Sequence, residues 1–165
     1  MVVMTNEELL GVAWSYYIRY QKRGGYALAI TSQRVVGAQK SAMGDHFEAY
    51  LGESSKATNK DRQRAAQLFA EILAEKNLEI AKESVVRISW KRAGLFHGAP
   101  FLFRTTGGDF RIVSAPMWTS LGVARVINQI VASLMMFSPD RFYNEKTGAL
   151  VVQEALEWKN RHGRK

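Results

Sequence analysis

The sequence predicts an α+β fold in which an antiparallel sheet is capped by a long amphipathic helix. Three stretches predict it. Between Gly25 and Gln39, Tyr26, Leu28 and Ile30 alternate with Ala27, Ala29 and Thr31, the period-two pattern of a strand. Thr31-Ser32-Gln33 breaks the run and Arg34-Val35-Val36-Gly37-Ala38 resumes it, so the stretch reads as a tight hairpin. A second β-rich block, Leu78 to Ala115, is expected to pair with this hairpin. The third stretch is a helix from Leu121 to about Met136. Val123, Val126, Ile127, Ile130, Val131 and Leu134 line one side of it, and Arg125, Asn128, Gln129, Ala132 and Ser133 the other.

Taken in order, Thr5-Asn6-Glu7-Glu8 has the form of a capping box, with Thr5 and Glu8 satisfying free N–H groups reciprocally. Leu9, Ala13, Tyr16, Tyr17 and Tyr20 follow at helical spacing, so a first helix is expected up to Gly24-Gly25, with Trp14 and Ile18 buried off its main stripe. After the hairpin, 40–45 reads as a loop, and His46 to Leu51 fits either a short strand or a turn. Thr58 or Asn59 caps the next helix, whose inner face is Ala65, Leu68, Phe69, Ile72 and Leu73.

In the second block Val86, Ile88 and Trp90 alternate with Val85, Arg87, Ser89 and Lys91. Phe101-Leu102-Phe103-Arg104-Thr105 and Phe110-Arg111-Ile112-Val113-Ser114 form a hairpin through Gly107-Gly108-Asp109. The alternation puts Trp90, Phe101, Phe103 and Phe110 on the core face and Lys91, Arg104 and Arg111 on the other. Bases are stacked by exposed aromatics and cations on one face, so core packing is the expectation here. The helix at 121–134 should lie on the sheet against Ile30, Ile88 and Phe103. Ser138-Pro139-Asp140 opens a new segment with Pro at a first helical position. A weaker helix follows from Thr147 to Asn160, ending in a frayed basic tail.

A chain of 165 residues without cysteine can bury a sizeable core but has no disulfides, thiolate metal sites or cysteine nucleophile. Its N-terminal stretch has neither the basic flank nor the apolar core of a secretion signal. The most apolar window contains Arg125, Asn128 and Gln129, so no transmembrane segment is predicted. A cytoplasmic location is the expectation. The net charge of +8 favours anionic partners, although no long basic block concentrates it.

His46, His97 and His162 lack the spacing of a metal pair, and no nucleophile elbow, phosphate loop or dinucleotide fingerprint occurs. The Asp45/Glu48 and Glu71/Glu75 pairs would need a cleft to act as acid and base. No enzymatic activity and no cofactor are predicted.

The stretch Tyr26-Ala-Leu-Ala-Ile-Thr-Ser-Gln-Arg-Val-Val-Gly37 resembles the opening "aliphatic strand, Thr-x-x-Arg, aliphatic strand" of the pleckstrin-homology-like superfamily, in particular its prokaryotic PH-like and GRAM-like domains. Val85–Trp90, Phe101–Phe103, Phe110–Val113 and the helix at 121–136 are similar to the later half of such domains. The resemblance implies an antiparallel barrel or sandwich over 26–136, with a helical insertion at about 41–77. Residues 1–25 are then an extra N-terminal helix and 137–165 a C-terminal helical extension. It also implies a binding or interaction module whose partner is a protein or an anionic surface. It does not carry over a lipid site, because the loop Ser32-Gln33 between the first two strands is too short to hold a headgroup. A nucleic-acid-binding protein is the alternative, and a small-ligand binder or enzyme with a pocket between sheet and helices is a third reading. If the positive charge is functional, the candidate anion-facing patch is Arg34, Lys40, Lys91 and Arg92, converging at one rim of the sheet.

Overall fold

Leu9–Ser15 forms a strand, β1, where helical spacing predicts a helix. It runs through the middle of a sheet and is buried on both faces, so its residues carry no polar-apolar alternation from which a strand could be read. Val12 and Trp14 pack to one side, Leu10 and Ala13 to the other. A register shift between Leu9 and Gly11 breaks the period further. The computed structural model describes residues 6–15, 17–40, 47–51, 58–92, 98–114 and 122–163, so Thr5 of the expected capping box lies outside the described residues.

A two-residue strand, β2 (Arg19–Tyr20), then turns sharply. The Tyr20 N–H donates to the Arg23 carbonyl at 3.0 Å and the Arg23 N–H returns to Tyr20 at 3.1 Å. Between them Gln21 and Lys22 both have positive φ, 53° and 67°, the geometry of a type I′ turn built without Asn or Gly. Strands β3 (Tyr26–Thr31) and β4 (Arg34–Gln39) form the predicted hairpin. Its turn is held by the Thr31 hydroxyl, which accepts from the N–H groups of Gln33 and Arg34 at 3.1 and 3.0 Å. Phe47–Leu51 is strand β5, which settles the ambiguous stretch in favour of a strand.

Helix α1 (Asn59–Glu75) is capped by Thr58, whose hydroxyl accepts from Asp61 N–H at 3.1 Å. Strand β6 (Leu78–Ala81) completes a five-stranded antiparallel sheet in the order β5-β1-β3-β4-β6. Ala65, Leu68 and Ile72 of α1 sit on one face of this first sheet, over Ala27, Ala29, Val36 and Ala38. Those small residues let the helix approach closely. The opposite face carries Tyr26, Leu28, Ile30 and Val35 into the main core. There the Tyr26 ring lies across Gly37, where a Cβ would come within 2.4 Å of it, and its hydroxyl donates to Asn77 Oδ1.

The second block does not extend the hairpin's sheet beyond β6. Strands β7 (Val85–Trp90), β8 (Pro100–Thr105) and β9 (Gly108–Val113) build a second sheet of their own. Strand β2 closes one edge of it against β9. After helix α2 (Gly122–Phe137), the chain turns through Ser138–Arg141 into β10 (Phe142–Asn144), which pairs parallel to β7 at the other edge. Pro139 therefore begins a turn and a strand rather than a helix. Helix α3 (Val151–His162) follows, with Val151 alone buried and Leu156 and Trp158 exposed.

Between the two sheets, Ile30, Ile88, Phe103, Val126, Ile130 and Leu134 belong to one continuous buried cluster, as expected of the capping helix. Helix α2 covers β1, β3 and β5. It is buried more widely than its apolar stripe: Ser133, on the predicted polar side, is 1% exposed, and a Cβ at Gly11 would come within 2.1 Å of its hydroxyl. The molecule is thus α+β, with two sheets and three helices among the described residues. Each sheet keeps two edges, so they do not close into a barrel. Nor is the N-terminal stretch an appendage, since β1 is central to one sheet and β2 borders the other.

Candidate functional site

The two sheets treat their cations differently. Arg34, at the start of β4, points at carboxylates. Its Nε donates to Glu7 Oε2 at 2.9 Å and its Nη1 to Glu79 Oε1 at 3.0 Å. Glu7 also accepts from Thr31 Oγ1 at 2.7 Å. Burial pushes the Glu7 pKa up, but the hydrogen bonds from Arg34 and Thr31 outweigh it and hold the carboxyl below its ordinary range. Glu79 is lowered as well, first by its hydrogen bond from Lys76 and, against some desolvation, by Arg34.

This network lines an open cleft of about 770 Å³, together with Ser32, Lys82, Glu83, Ser138, Asp140 and Arg141. Arg141 in turn donates through Nη1 to the Val85 carbonyl. The cleft is mixed in sign, and its central cation is already engaged.

Lys40, just past the far end of β4, is also engaged. Its Nζ lies 3.0 Å from Glu71 Oε1 on α1 and 5.3 Å from the centroid of the Trp14 ring. Glu71 serves this ion pair and a longer one of 3.7 Å to Arg64, so the Glu71/Glu75 pair is not set as acid and base. Six residue steps along the strand, roughly 20 Å, separate Arg34 from Lys40. Lys91 and Arg92 are exposed beyond the end of β7, whereas Arg34 shares its cleft with residues that precede the start of that strand. The four cations of the expected patch are therefore not brought together, and two of them are spent on internal ion pairs.

Among the described residues, the second sheet has only one covered face. Phe101 and Phe103 of β8 and Ile112 of β9 are buried inward, while Trp90 stacks on Phe101 at 5.8 Å. The aromatics are on the core side, as the alternation predicts. Facing outward are Arg87 and Ser89 of β7, Leu102 and Arg104 of β8, Asp109, Arg111 and Val113 of β9, and Arg19 of β2. A register shift between Val85 and Arg87 makes Val85 the buried residue and leaves Val86 58% exposed, the reverse of the predicted faces.

Register fixes the layout of the cations. Arg87 lies directly opposite Arg104, and Arg104 opposite Asp109. Arg111 lies opposite Leu102, and Arg19 opposite Val113. Four arginines thus step obliquely across β7, β8, β9 and β2. None of them has an ion-pair partner among the described residues. Arg87 rests on the Tyr143 ring, its guanidinium carbon 3.9 Å from the centroid. Arg19 and Arg111 also border a smaller cleft of about 440 Å³, beside the Gln21-Lys22 turn and with Lys22, Asp109 and Phe110.

The alternation already turned Arg104 and Arg111 outward. Arg19 was hidden by the helical reading of its segment, and only the pairing of β2 with β9 reveals its place. Among the described residues no group of histidines and carboxylates is arranged to hold a metal ion, and no helix is long and apolar enough to cross a membrane. His162 stacks on Trp158 at 4.7 Å, and His46, His97 and Asp45 lie outside the described residues. No known family, curated protein or solved structure matches the chain.

Proposed function

We propose that the chain is a non-enzymatic binding module of pleckstrin-homology-like kind, engaging an anionic partner through the outer face of its second sheet. The observation that carries this reading is the set of four unpaired arginines, Arg19, Arg87, Arg104 and Arg111. Like charges placed directly opposite each other destabilise a sheet, and Arg87 faces Arg104 with no carboxylate bridging them. An anion seated over the pair would relieve that repulsion. Arginine suits the task, since its planar fork takes phosphate or carboxylate oxygens bidentately.

The pleckstrin-homology-like part of the reading draws its support from the order of elements: the Tyr26–Gln39 hairpin, the strands from Val85 to Val113 and the covering helix α2. The non-enzymatic part draws on the larger cleft, where Arg34, Glu7 and Glu79 are committed to one another. A cytoplasmic location belongs to the same reading and is supported by a sequence without cysteine.

The test is binding to long-chain inorganic polyphosphate at low salt. A quadruple variant carrying Gln in place of Arg19, Arg87, Arg104 and Arg111 should bind at least tenfold more weakly while keeping its melting temperature. Replacing Arg34 and Lys40 instead should leave the affinity unchanged. Equal binding by the quadruple variant, or no binding by the unaltered protein, rejects the proposal.

A further inference from the structure

The layout of the basic face narrows the partner, on the premise that this face binds an anion as just proposed. On a sheet, directly opposed residues stand about 5 Å apart and diagonal neighbours about 7–8 Å. Arg87 and Arg104 are opposed; Arg111 is one strand over from Arg104 and displaced along it, and Arg19 stands in the same relation to Arg111. The cations therefore form a single oblique line at roughly even steps rather than a ring around a point. A ring suits one compact anion. A line suits a polymer whose charges recur at similar intervals, as the phosphates of a nucleic-acid strand do.

Which form of nucleic acid fits is decided by the aromatics. Binding of single strands combines cations with exposed rings on which unstacked bases lie. Here Phe101 and Phe103 are 1% exposed, Trp90 is stacked against Phe101, and the outward ring of Tyr143 is covered by the Arg87 guanidinium. Among the described residues the face offers positive charge without a stacking platform, since the half-buried Phe110 packs on the core side and only borders the small cleft beside Arg19 and Arg111. A duplex, whose bases are already stacked on one another, loses nothing on such a surface. The outward apolar residues Leu102 and Val113 lie directly opposite Arg111 and Arg19.

We infer that the outer face of the second sheet binds the phosphate backbone of a nucleic-acid duplex, through Arg87, Arg104, Arg111 and Arg19 and without regard to base sequence. Asp109, opposite Arg104, keeps phosphate from that corner and sets the direction of the line.

The experiment is fluorescence anisotropy with a labelled mixed-sequence DNA duplex, the corresponding single strand and anionic phospholipid vesicles, from 50 to 200 mM salt. Four phosphate contacts predict a log–log salt slope of about −3 to −4 on duplex, roughly a hundredfold loss of affinity across that range. Each single Arg→Gln substitution should make the slope shallower by about 0.9, and Asp109→Asn should tighten binding. Changing the duplex sequence should alter the affinity by less than about threefold, since phosphate contacts carry no sequence information. Tenfold tighter binding to the single strand overturns the inference, because the bases would then be in contact. So does binding to vesicles or polyphosphate with none to duplex, which leaves the anion-binding reading standing. A quadruple Arg→Gln variant that holds every ligand as before rejects both.

Discussion

The two sheets differ in how many of their faces are covered, and their charges follow suit. The first sheet lies between α1 and the main core, and the half-buried cations at its margin are paired: Arg34 has Glu7 and Glu79, and Lys40 has Glu71. Among the described residues the second is covered on one side only, and its arginines have no ion-pair partner. Burial makes a partner obligatory, because a charge removed from water without one is costly. Where water still reaches, a charge can be kept for something outside the molecule. The basicity of the whole sequence says little; the division between engaged and uncompensated charge says where to look.

The comparison breaks most easily if the first sheet has a tolerant face. Leu28 and Ala29 are adjacent on β3 and point to opposite sides, yet both are at most 2% exposed. Leu28→Asp and Ala29→Asp should each cost several kcal/mol and abolish cooperative unfolding, read by circular dichroism. Leu102→Asp, on the open face of the second sheet, should cost about 1 kcal/mol or less. A folded Ala29→Asp variant with an ordinary melt would mean that α1 does not seal that side.

A smaller effect is expected where the engaged charges are undone. Arg34→Ala leaves Glu7 and Glu79 without their shared cation and should cost about 1–2 kcal/mol. The pH dependence has a definite sign. Glu7 and Glu79 have folded pKa values depressed below 4.5, so as pH falls the unfolded chain takes up protons first. Their contribution is complete above that value and is lost as pH drops through the folded pKa values. The melting temperature should therefore fall in acid, and less steeply in the Arg34→Ala variant. Parallel acid profiles for the two proteins would show that the network is not the source.

The smallest effect has the opposite direction. In an Asp109→Asn background, Arg104→Gln removes the repulsion with Arg87 without also losing an attraction to Asp109, and should stabilise the protein by a few tenths of a kcal/mol, as an increase in salt should. Chemical denaturation at two ionic strengths measures it. A destabilised variant would mean that Arg104 is held by interactions of its own.

How much of this was legible in the sequence depended on where each element's partners lie. The β3–β4 hairpin carries its whole pattern within fifteen residues, and Phe101 to Val113 likewise shows inward aromatics and outward cations. Helix α2 is equally plain. Strand β1 was not, because a strand buried on both sides has no polar face to mark its period, and Leu9, Ala13, Tyr17 and Tyr20 happened to fall at helical spacing. Strand β10 is three residues long, too short to show any period. The fate of Arg34 was beyond reach: its carboxylates come from Glu7 on one side and Glu79 on the other, and only the fold makes neighbours of them. The expected patch at Arg34, Lys40, Lys91 and Arg92 missed for that reason. It counted cations without knowing which were engaged.

The second sheet is bordered by β2 on one side and β10 on the other, segments from near the two ends of the chain. On a growing polypeptide, β7, β8 and β9 emerge and can pair locally well before Phe142 is made, and until then the edge of β7 has no neighbour. Synthesis at about 5–20 residues per second leaves it open for seconds. An unpaired edge is a template for strands of other chains. The bulge at Val85–Arg87 and the guanidinium beside it lie on that same strand, and a twisted, charged border is a poor template. The bulge and the cation thus guard this edge during the interval in which its neighbour has yet to be made.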